Sequence, residues 1–196
     1  MKERRSVKCM LIALCFTLII SVGSKAQIHR VGGGLSFSSG VDFNYGETGN
    51  PGLTFRSWLA VNKPSTLHVV PSVTVYNRFR RETGYSILSN YMLQGDLNLQ
   101  YAFFSETSVK AVAFGGGNFT FLSSTFEALI DTNNENIADR NDYAFGGNIG
   151  AGLELSMAPK LDFNVSAKYL FSTYSQFIIS VQVVYFFKVR RRAYRR

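Results

Sequence analysis

The chain has 196 residues, of which 46% are hydrophobic and 17% charged, and its formal net charge is +8. This length suits a single domain, and the composition excludes an intrinsically disordered chain, which combines few apolar residues with high charge. The positive charge does not indicate a nucleic-acid partner, because residues 1–26 and 188–196 carry eleven of the 21 bases, whereas residues 27–187 hold 10 bases and 12 acids.

The first 26 residues have the layout of a secretory signal peptide. Basic residues precede an apolar run over residues 9–22, and the small residues Ser24 and Ala26 follow it. This run is shorter than the roughly 20 residues that a transmembrane helix requires. We therefore predict a cleavable signal peptide over residues 1–26, with the cut between Ala26 and Gln27. Both cysteines lie in this segment, so the mature chain contains no disulfide.

The rest of the chain alternates apolar and polar residues with a period of two, which is typical of β-strands. The pattern predicts eight strands, over residues 31–43, 53–61, 67–79, 85–103, 109–121, 143–155, 161–171 and 177–187. In every run the apolar residues favour odd numbers, and no odd position is charged. The even positions are mostly polar, although several of them, including Trp58, Val70, Tyr76 and Leu170, are apolar.

Three observations indicate that the apolar face contacts lipid. The interior of an eight-stranded barrel is narrow, so the many Phe, Tyr and Leu side chains of the odd face would not fit inside it. Aromatic residues gather near the ends of the runs, as in the girdles of membrane barrels. Most runs are also long enough to cross a bilayer. We predict an all-β fold, an eight-stranded antiparallel transmembrane β-barrel over residues 27–187. A soluble lipocalin-like ligand-binding barrel is the alternative.

The predicted connections differ in length between the two ends of the barrel. The gaps at residues 62–66, 104–108 and 156–160 have the composition of tight turns, whereas the gap at 122–142 is much longer. Short periplasmic turns and longer exterior loops are typical of outer-membrane barrels, and an even number of strands places both termini in the periplasm. The segment 122–142 is therefore predicted to be an exterior loop.

A glycine-rich strand, a proline turn and an alternating strand follow one another late in the chain. They are residues 150–155, the turn Ala158-Pro159-Lys160, and residues 161–169, which end in Tyr169. This succession resembles the small outer-membrane β-barrel proteins, the OmpA-like and OmpX-like eight-stranded barrels, and most of all the Bacteroidota-type barrel domain. The resemblance implies a porin-like cell-envelope protein of the bacterial outer membrane.

The resemblance also implies two partners, outer-membrane lipid and the barrel-insertion machinery. The last predicted strand, with Tyr185 and Phe187, is similar to the C-terminal insertion signal that this machinery recognises. Nine further residues, 188–196, follow Phe187 and form a basic periplasmic tail. The partner of this tail would be anionic lipid or the acidic cell-wall polymer, and no nucleic acid is expected for an exported chain.

Eight charged residues stand at even positions and are predicted to point into the lumen. They are Asp42, Asp96, Glu154 and Asp162, and Arg56, Arg78, Lys110 and Lys168. Charges in a narrow lumen must be paired, and the equal numbers of acids and bases indicate a structural ion-pair network. A proton or ion path is the alternative interpretation.

The sequence predicts no catalytic residue, cofactor or metal site. A serine hydrolase requires a histidine beside its nucleophile, but the His-x-Ser pattern is absent around both His29 and His68, although Ser72 lies two inward positions from His68. We interpret His29, just before the first predicted strand, as solvated. The metal-ligand spacing of His and Cys is absent.

Together these observations predict a non-enzymatic monomer with a structural or surface-adhesion role through its exterior loops. A membrane-embedded lipid-modifying enzyme and a narrow channel are the alternatives.

Overall fold

The computed structural model describes residues 28–39, 50–61, 66–77, 79–83, 86–106, 108–128 and 140–187. Apart from turns, these residues form β-strands. The strands are β1 (Ile28–Ser38), β2 (Asn50–Ala60), β3 (Leu67–Tyr76), β4 (Phe79–Thr83), β5 (Ser86–Ser105), β6 (Val109–Ala128), β7 (Arg140–Ala158), β8 (Leu161–Phe171) and β9 (Gln176–Phe186). Within the described ranges, no helix is long and apolar enough to cross a membrane.

The strands form a closed antiparallel barrel. They pair in the order β3-β2-β1-β9-β8-β7-β6-β5-β4, and the additional pairing of β3 with β5 closes the sheet. Since β3 and β4 both pair with the same side of β5, they occupy one position in the wall, and the barrel has eight positions. The predicted eight-stranded antiparallel barrel is confirmed.

The single strand predicted over residues 67–79 is interrupted. Val75 pairs with Leu93, but Phe79 pairs with Asn90, so the third wall position contains one more residue than the matching stretch of β5. An extra residue on one strand is the arrangement of a β-bulge, which locally breaks the ladder of hydrogen bonds. The chain therefore forms β3 and β4 instead of one continuous strand.

The two faces of the wall follow the parity of the sequence. Odd-numbered side chains such as Leu97 and Ile149 are 59% and 60% exposed, whereas even-numbered ones such as Gln94 and Gln182 are 0% and 1% exposed. The outer surface is thus apolar and the lumen is largely polar. A lipocalin-like barrel requires the opposite arrangement, so that alternative is wrong.

Aromatic side chains lie at both ends of the apolar outer surface. On β6 and β7, the rings of Phe119 and Phe121 pack against that of Tyr143 with centroids 6.1 and 5.1 Å apart. At the end where β1 begins and β9 ends, the ring centroids of Tyr185 and Phe187 are 5.9 Å apart. Two aromatic girdles around an apolar band are characteristic of membrane barrels.

Three strands are much longer than the others. β5 and β6 have 20 residues and β7 has 19, whereas β1, β2, β8 and β9 have 11. At about 3.4 Å per residue and a tilt of about 40°, 11 residues rise by about 28 Å and 20 residues by about 50 Å. The long strands therefore project beyond the apolar band, at the end opposite the start of β1 and the end of β9. We call residues 79–83, 86–91, 123–128 and 140–142 the projecting sheet.

The predicted boundaries of the exterior loop are wrong. β6 continues to Ala128 and β7 begins at Arg140, so both strands extend into the segment 122–142. Similarly, β2 begins at Asn50, inside the predicted gap of residues 44–52. Outside the membrane the outer face need not be apolar, so the alternation fades while the hydrogen bonds between β5, β6 and β7 continue.

Candidate functional site: the barrel lumen

Two clusters of buried apolar side chains lie inside the barrel, one near each end. The terminal cluster, at the end where β1 begins and β9 ends, consists of Trp58, Val70, Val184 and Phe186. The exterior cluster, at the other end, consists of Tyr76, Met92, Leu170 and Ile178, with Leu122 packed against it. These residues include the even-numbered apolar positions that interrupt the alternation in the sequence. Their position explains the interruption, because they fill the lumen and do not face lipid.

A buried ion pair lies next to the terminal cluster. Arg30 Nη1 is 2.5 Å from Glu154 Oε2, and both side chains are almost fully buried. The other Glu154 oxygen accepts a hydrogen bond from Gln100 Nε2 at 2.9 Å, and Gln100 Oε1 accepts one from Trp58 Nε1 at 3.0 Å. The Arg30 guanidinium also lies 4.7 Å from the ring centroid of Trp58, within the range of a cation–π contact.

Asp96 is the centre of a polar layer between the two clusters. Its Oδ2 contacts Lys168 Nζ at 2.6 Å and accepts a hydrogen bond from Ser72 Oγ at 3.1 Å. Its Oδ1 accepts hydrogen bonds from Asn118 Nδ2 at 2.7 Å, Gln94 Nε2 at 3.3 Å and Asn148 Nδ2 at 3.4 Å. Five donors surround one carboxylate, which compensates for its removal from water.

A row of hydroxyl groups crosses β9, β1, β2 and β3 in the same layer. The Ser180–Ser36, Ser36–Thr54 and Thr54–Thr74 oxygen distances are 2.7, 2.5 and 2.8 Å. Such hydrogen bonds satisfy short polar side chains without water. Together with the apolar clusters, they make the lumen a packed interior rather than an open passage.

The predicted lumen charges have different environments. Asp96, Glu154 and Lys168 are buried and ion-paired, Asp162 is buried, and Lys110 is half-buried opposite Glu154 in the β6–β7 register. Arg56 is also buried, and its Nη1 donates to Ser166 Oγ at 3.2 Å. Asp42 and Arg78 lie outside the described residues, as do Ala26, Gln27 and the tail of residues 188–196.

Arg30 is a lumen charge that the sequence pattern missed. The first strand was predicted to begin at residue 31, but β1 begins at Ile28, and Arg30 is the partner of Glu154. Its even number was the available signal, since extending the predicted strand by a few residues would have placed Arg30 on the inner face.

The interpretation of His29 as a solvated residue before the first strand is wrong. It belongs to β1, and its ring centroid lies 5.5 Å from that of Phe186 and 6.3 Å from that of His68. The hydroxyl of Ser72 donates to Asp96. Among the described residues, no group of three His, Cys, Asp or Glu side chains could hold a metal.

The C-terminal residues Tyr185 and Phe187 are 40% and 52% exposed on the outer wall, at the end of β9 that lies beside β1. Both side chains are therefore accessible from the membrane side of the barrel.

Comparisons with known proteins identify solved structures that have a similar barrel. No family model matches the sequence, and no curated protein matches it either. Among solved structures, Ail, the attachment invasion locus protein of Yersinia pestis, is 12% identical with a TM-score of 0.53, covering 81% of this chain and 95% of that chain. Neisserial surface protein A is 13% identical with a TM-score of 0.52, at 81% and 95% coverage. A major outer membrane protein from Thermus thermophilus is 12% identical with a TM-score of 0.56, at 80% and 98% coverage.

The chain has the fold of the small bacterial outer-membrane barrels. This resemblance agrees with the predicted outer-membrane location, and it extends over almost the whole length of each barrel compared. At these levels of sequence identity, the likeness concerns the fold.

Proposed function

We propose that this outer-membrane barrel is a non-enzymatic surface protein that acts through its projecting sheet, while the packed lumen supports the structure. The observation that carries the proposal is the length of β5, β6 and β7, which extend beyond the apolar band on one side only. With both termini in the periplasm, this side is the cell exterior.

The projecting sheet has edges without a neighbouring strand in the described part of the chain. The pairing of β7 with β8 begins at Gly147, so residues 140–146 pair with β6 alone. On the opposite side, β4 pairs only with β5. Open edges can accept a strand from another protein by backbone hydrogen bonding. The name of Ail, an attachment protein with a similar barrel, supports a surface role.

The lumen supports neither of the alternative functions. Eight strands leave room for side chains but not for an aqueous channel, and buried apolar side chains occupy the lumen near both ends. An enzyme acting on lipid would need a nucleophile that lipid can reach, but Ser72 is buried in the lumen and bonded to Asp96. The proposal is therefore a barrel that neither conducts ions nor hydrolyses lipid.

Other parts of the proposal rest on the sequence. They are processing between Ala26 and Gln27, recognition of Tyr185 and Phe187 by the barrel-insertion machinery, and a monomer in outer-membrane lipid. The basic tail would contact cell-wall polymer or anionic lipid. The proposed relationship to the Bacteroidota-type barrel domain rests on the sequence of residues 150–169.

Complementation of a deletion strain tests the surface role. One strain receives the full chain, and the other receives a chain in which residues 123–142, which include the β6 and β7 parts of the projecting sheet, are replaced by a Gly-Ser segment of equal length. A surface role predicts that both chains restore the resistance of the envelope to detergent, but that only the full chain restores attachment to surfaces. Equal attachment by both strains would contradict the proposal.

Planar-bilayer recording and a phospholipid hydrolysis assay on the purified full chain test the two alternatives. We expect no steady conductance and no release of fatty acid. An ion-selective conductance would favour the channel, and lipid hydrolysis would favour the enzyme.

A further inference from the structure

Lys168 and Asn148 both contact the carboxylate of Asp96 in the lumen. Lys168 Nζ lies 2.6 Å from Asp96 Oδ2, and Asn148 Nδ2 lies 3.4 Å from Asp96 Oδ1. None of the three side chains is more than 6% exposed. An amine, an amide and a carboxylate therefore share one position that is shielded from bulk water.

The strand register brings Lys168 and Asn148 close to each other. In the pairing of β7 with β8, Gly150 stands opposite Lys168 and Asn148 stands opposite Leu170. Asn148 and Lys168 are thus one inward-facing position apart on neighbouring strands, a diagonal distance that a long side chain can span. The Lys168 side chain extends towards Asp96 on β5, two strands beyond β7, and so lies on the side of the lumen where Asn148 is.

The surroundings of Lys168 are partly apolar. The ring of Phe114 fills the space above Gly150, since a Cβ atom added to this glycine would lie 2.6 Å from Phe114 Cζ. A lysine that is desolvated in this way is the kind that acts as a nucleophile in proteins. Asp96 Oδ2, at 2.6 Å, is positioned to take the proton that Nζ must lose before it can react.

Asn148 is more weakly held than Asn118, the other amide whose nitrogen contacts Asp96 Oδ1. Among the described residues, Asn148 Oδ1 is buried without a hydrogen bond, and its Nδ2 makes only the long contact with Asp96. Asn118 Nδ2 donates to Asp96 at 2.7 Å and to the carbonyl oxygen of Gly95, and its Oδ1 accepts from Thr120. The amide of Asn148 is therefore freer to turn its carbonyl carbon towards the amine.

We propose that Lys168 and Asn148 form an intramolecular isopeptide bond, with Asp96 as the acid–base group. Asp96 takes a proton from Nζ, and the freed lone pair attacks Asn148 Cγ. Asp96 gives this proton to Nδ2 as the Cγ–Nδ2 bond breaks, so that ammonia leaves, and it keeps the second proton that Nζ loses. The reaction needs no oxidant or reductant. Holding the amine and the amide together makes it effectively unimolecular.

The bond preserves the charge balance of the lumen. The described residues include three buried cations, Arg30, Arg56 and Lys168, and three buried carboxylates, Asp96, Glu154 and Asp162. The reaction replaces the ion pair of Lys168 and Asp96 with a neutral amide and a neutral carboxylic acid, so one charge of each sign disappears. The product joins β7 to β8 covalently, and a cross-link of this kind stabilises a fold by constraining the unfolded chain.

Peptide mapping of the purified full chain tests the bond. Trypsin cleaves after Arg140, Lys160 and Lys188 but not after an acylated Lys168. We expect a branched peptide in which residues 141–160 are joined to residues 161–188, lighter than the sum of its two parts by one ammonia molecule. Fragmentation should locate the link at Lys168 and Asn148. Separate peptides of residues 141–160 and 161–168 from the unmodified chain would overturn the proposal.

Two asparagine variants form a matched pair. Asn148→Ser should give only the separate peptides, whereas Asn118→Ser should retain the branched one, because Asn118 contacts Asp96 but does not supply the reacting carbon. Asp96→Asn should lower the branched fraction at least about tenfold, since it removes the proton acceptor. A branched peptide that persists in Asn148→Ser would overturn the proposal, and if a variant does not fold, the map of the unmodified chain decides alone.

Discussion

Single residues in the lumen depend strongly on their partners. The ion pair of Arg30 and Glu154 is short and almost completely buried. One Glu154 carboxylate oxygen contacts Arg30, and the other accepts a hydrogen bond from Gln100. Removing one member of a buried pair leaves the other charge without compensation, whereas replacing both members with apolar side chains is often neutral. The pair therefore constrains which substitutions the barrel tolerates.

Glu154→Gln should lower the free energy of unfolding by about 3–5 kcal/mol, because the Arg30 charge then remains buried and unpaired. The double substitution Arg30→Met with Glu154→Leu should recover most of this loss. Urea unfolding in detergent micelles measures both. The control is Glu106→Gln at an exposed turn, and equal losses in Glu154→Gln and this control would contradict the assignment.

The lipid-facing residues give a second test at this scale. Leu97 is 59% exposed on the apolar outer face of β5, and Leu97→Arg should destabilise the barrel by about 2–4 kcal/mol when it is folded in a bilayer. Ser123 is also odd-numbered but lies in the projecting sheet, outside the apolar band. Ser123→Arg should therefore change the free energy of unfolding by less than about 1 kcal/mol. If the two substitutions had the same effect, the position of the apolar band would be wrong.

At the scale of elements, close contact between strands determines which positions in the wall must be glycine. A Cβ atom added to Gly116 would lie 2.0 Å from the carbonyl oxygen of Leu97 and 2.8 Å from Asn98 Cα. A Cβ atom added to the neighbouring Gly117 would have no other residue's atoms within 4 Å. Because backbone cannot move aside as a flexible side chain can, the β5–β6 pairing requires glycine at position 116 and not at 117.

The two glycines form a matched pair of variants. Gly116→Ala should lower the free energy of unfolding by about 1–3 kcal/mol, the usual effect of overpacking. Gly117→Ala should change it by no more than about 0.5 kcal/mol, as is usual for surface positions. Denaturant unfolding of both proteins in one detergent provides the comparison, and a larger loss for Gly117→Ala would show that the β5–β6 register is wrong.

At the scale of the whole molecule, the topology predicts which segments face the outside of the cell. The turns between β2 and β3, β5 and β6, and β7 and β8 join strand ends that lie where β1 begins and β9 ends. β6 ends and β7 begins at the opposite end, so we expect the connection that joins them there. If the termini are periplasmic, a protease added to intact cells should reach this connection and not the turns.

Glu-specific protease on intact cells should therefore cut after Glu135, between β6 and β7, and spare Glu106 at the β5–β6 turn. Glu127 should also resist, because it lies within β6 and is paired with Ile87 of β5. Mass spectrometry of the fragments identifies the sites, and permeabilised cells serve as the control in which Glu106 becomes accessible. Cleavage at Glu106 alone on intact cells would show that the opposite end of the barrel faces the cell exterior.

The sequence by itself determined the class of fold and the two faces of the wall. A strict period of two leaves each side chain on one of two sides, so the absence of charge from odd positions was enough to predict the apolar outer surface. It also placed Asp96, Glu154 and Lys168 in the lumen, because each has an even number. The ends of the strands were less predictable, since β6 and β7 continue where the outer face no longer contacts lipid and the alternation disappears.

Only the tertiary structure decided which side chains meet across the lumen. Arg30 and Glu154 are far apart in the sequence and come from β1 and β7, so no local pattern could pair them. The same is true of the even-numbered apolar residues, which interrupt the alternation in the sequence. In the closed barrel two of them, Trp58 and Phe186, belong to one buried cluster. Parity fixes the direction in which a side chain points, whereas its partner depends on the stagger of the strands around the barrel, a property of the closed sheet as a whole.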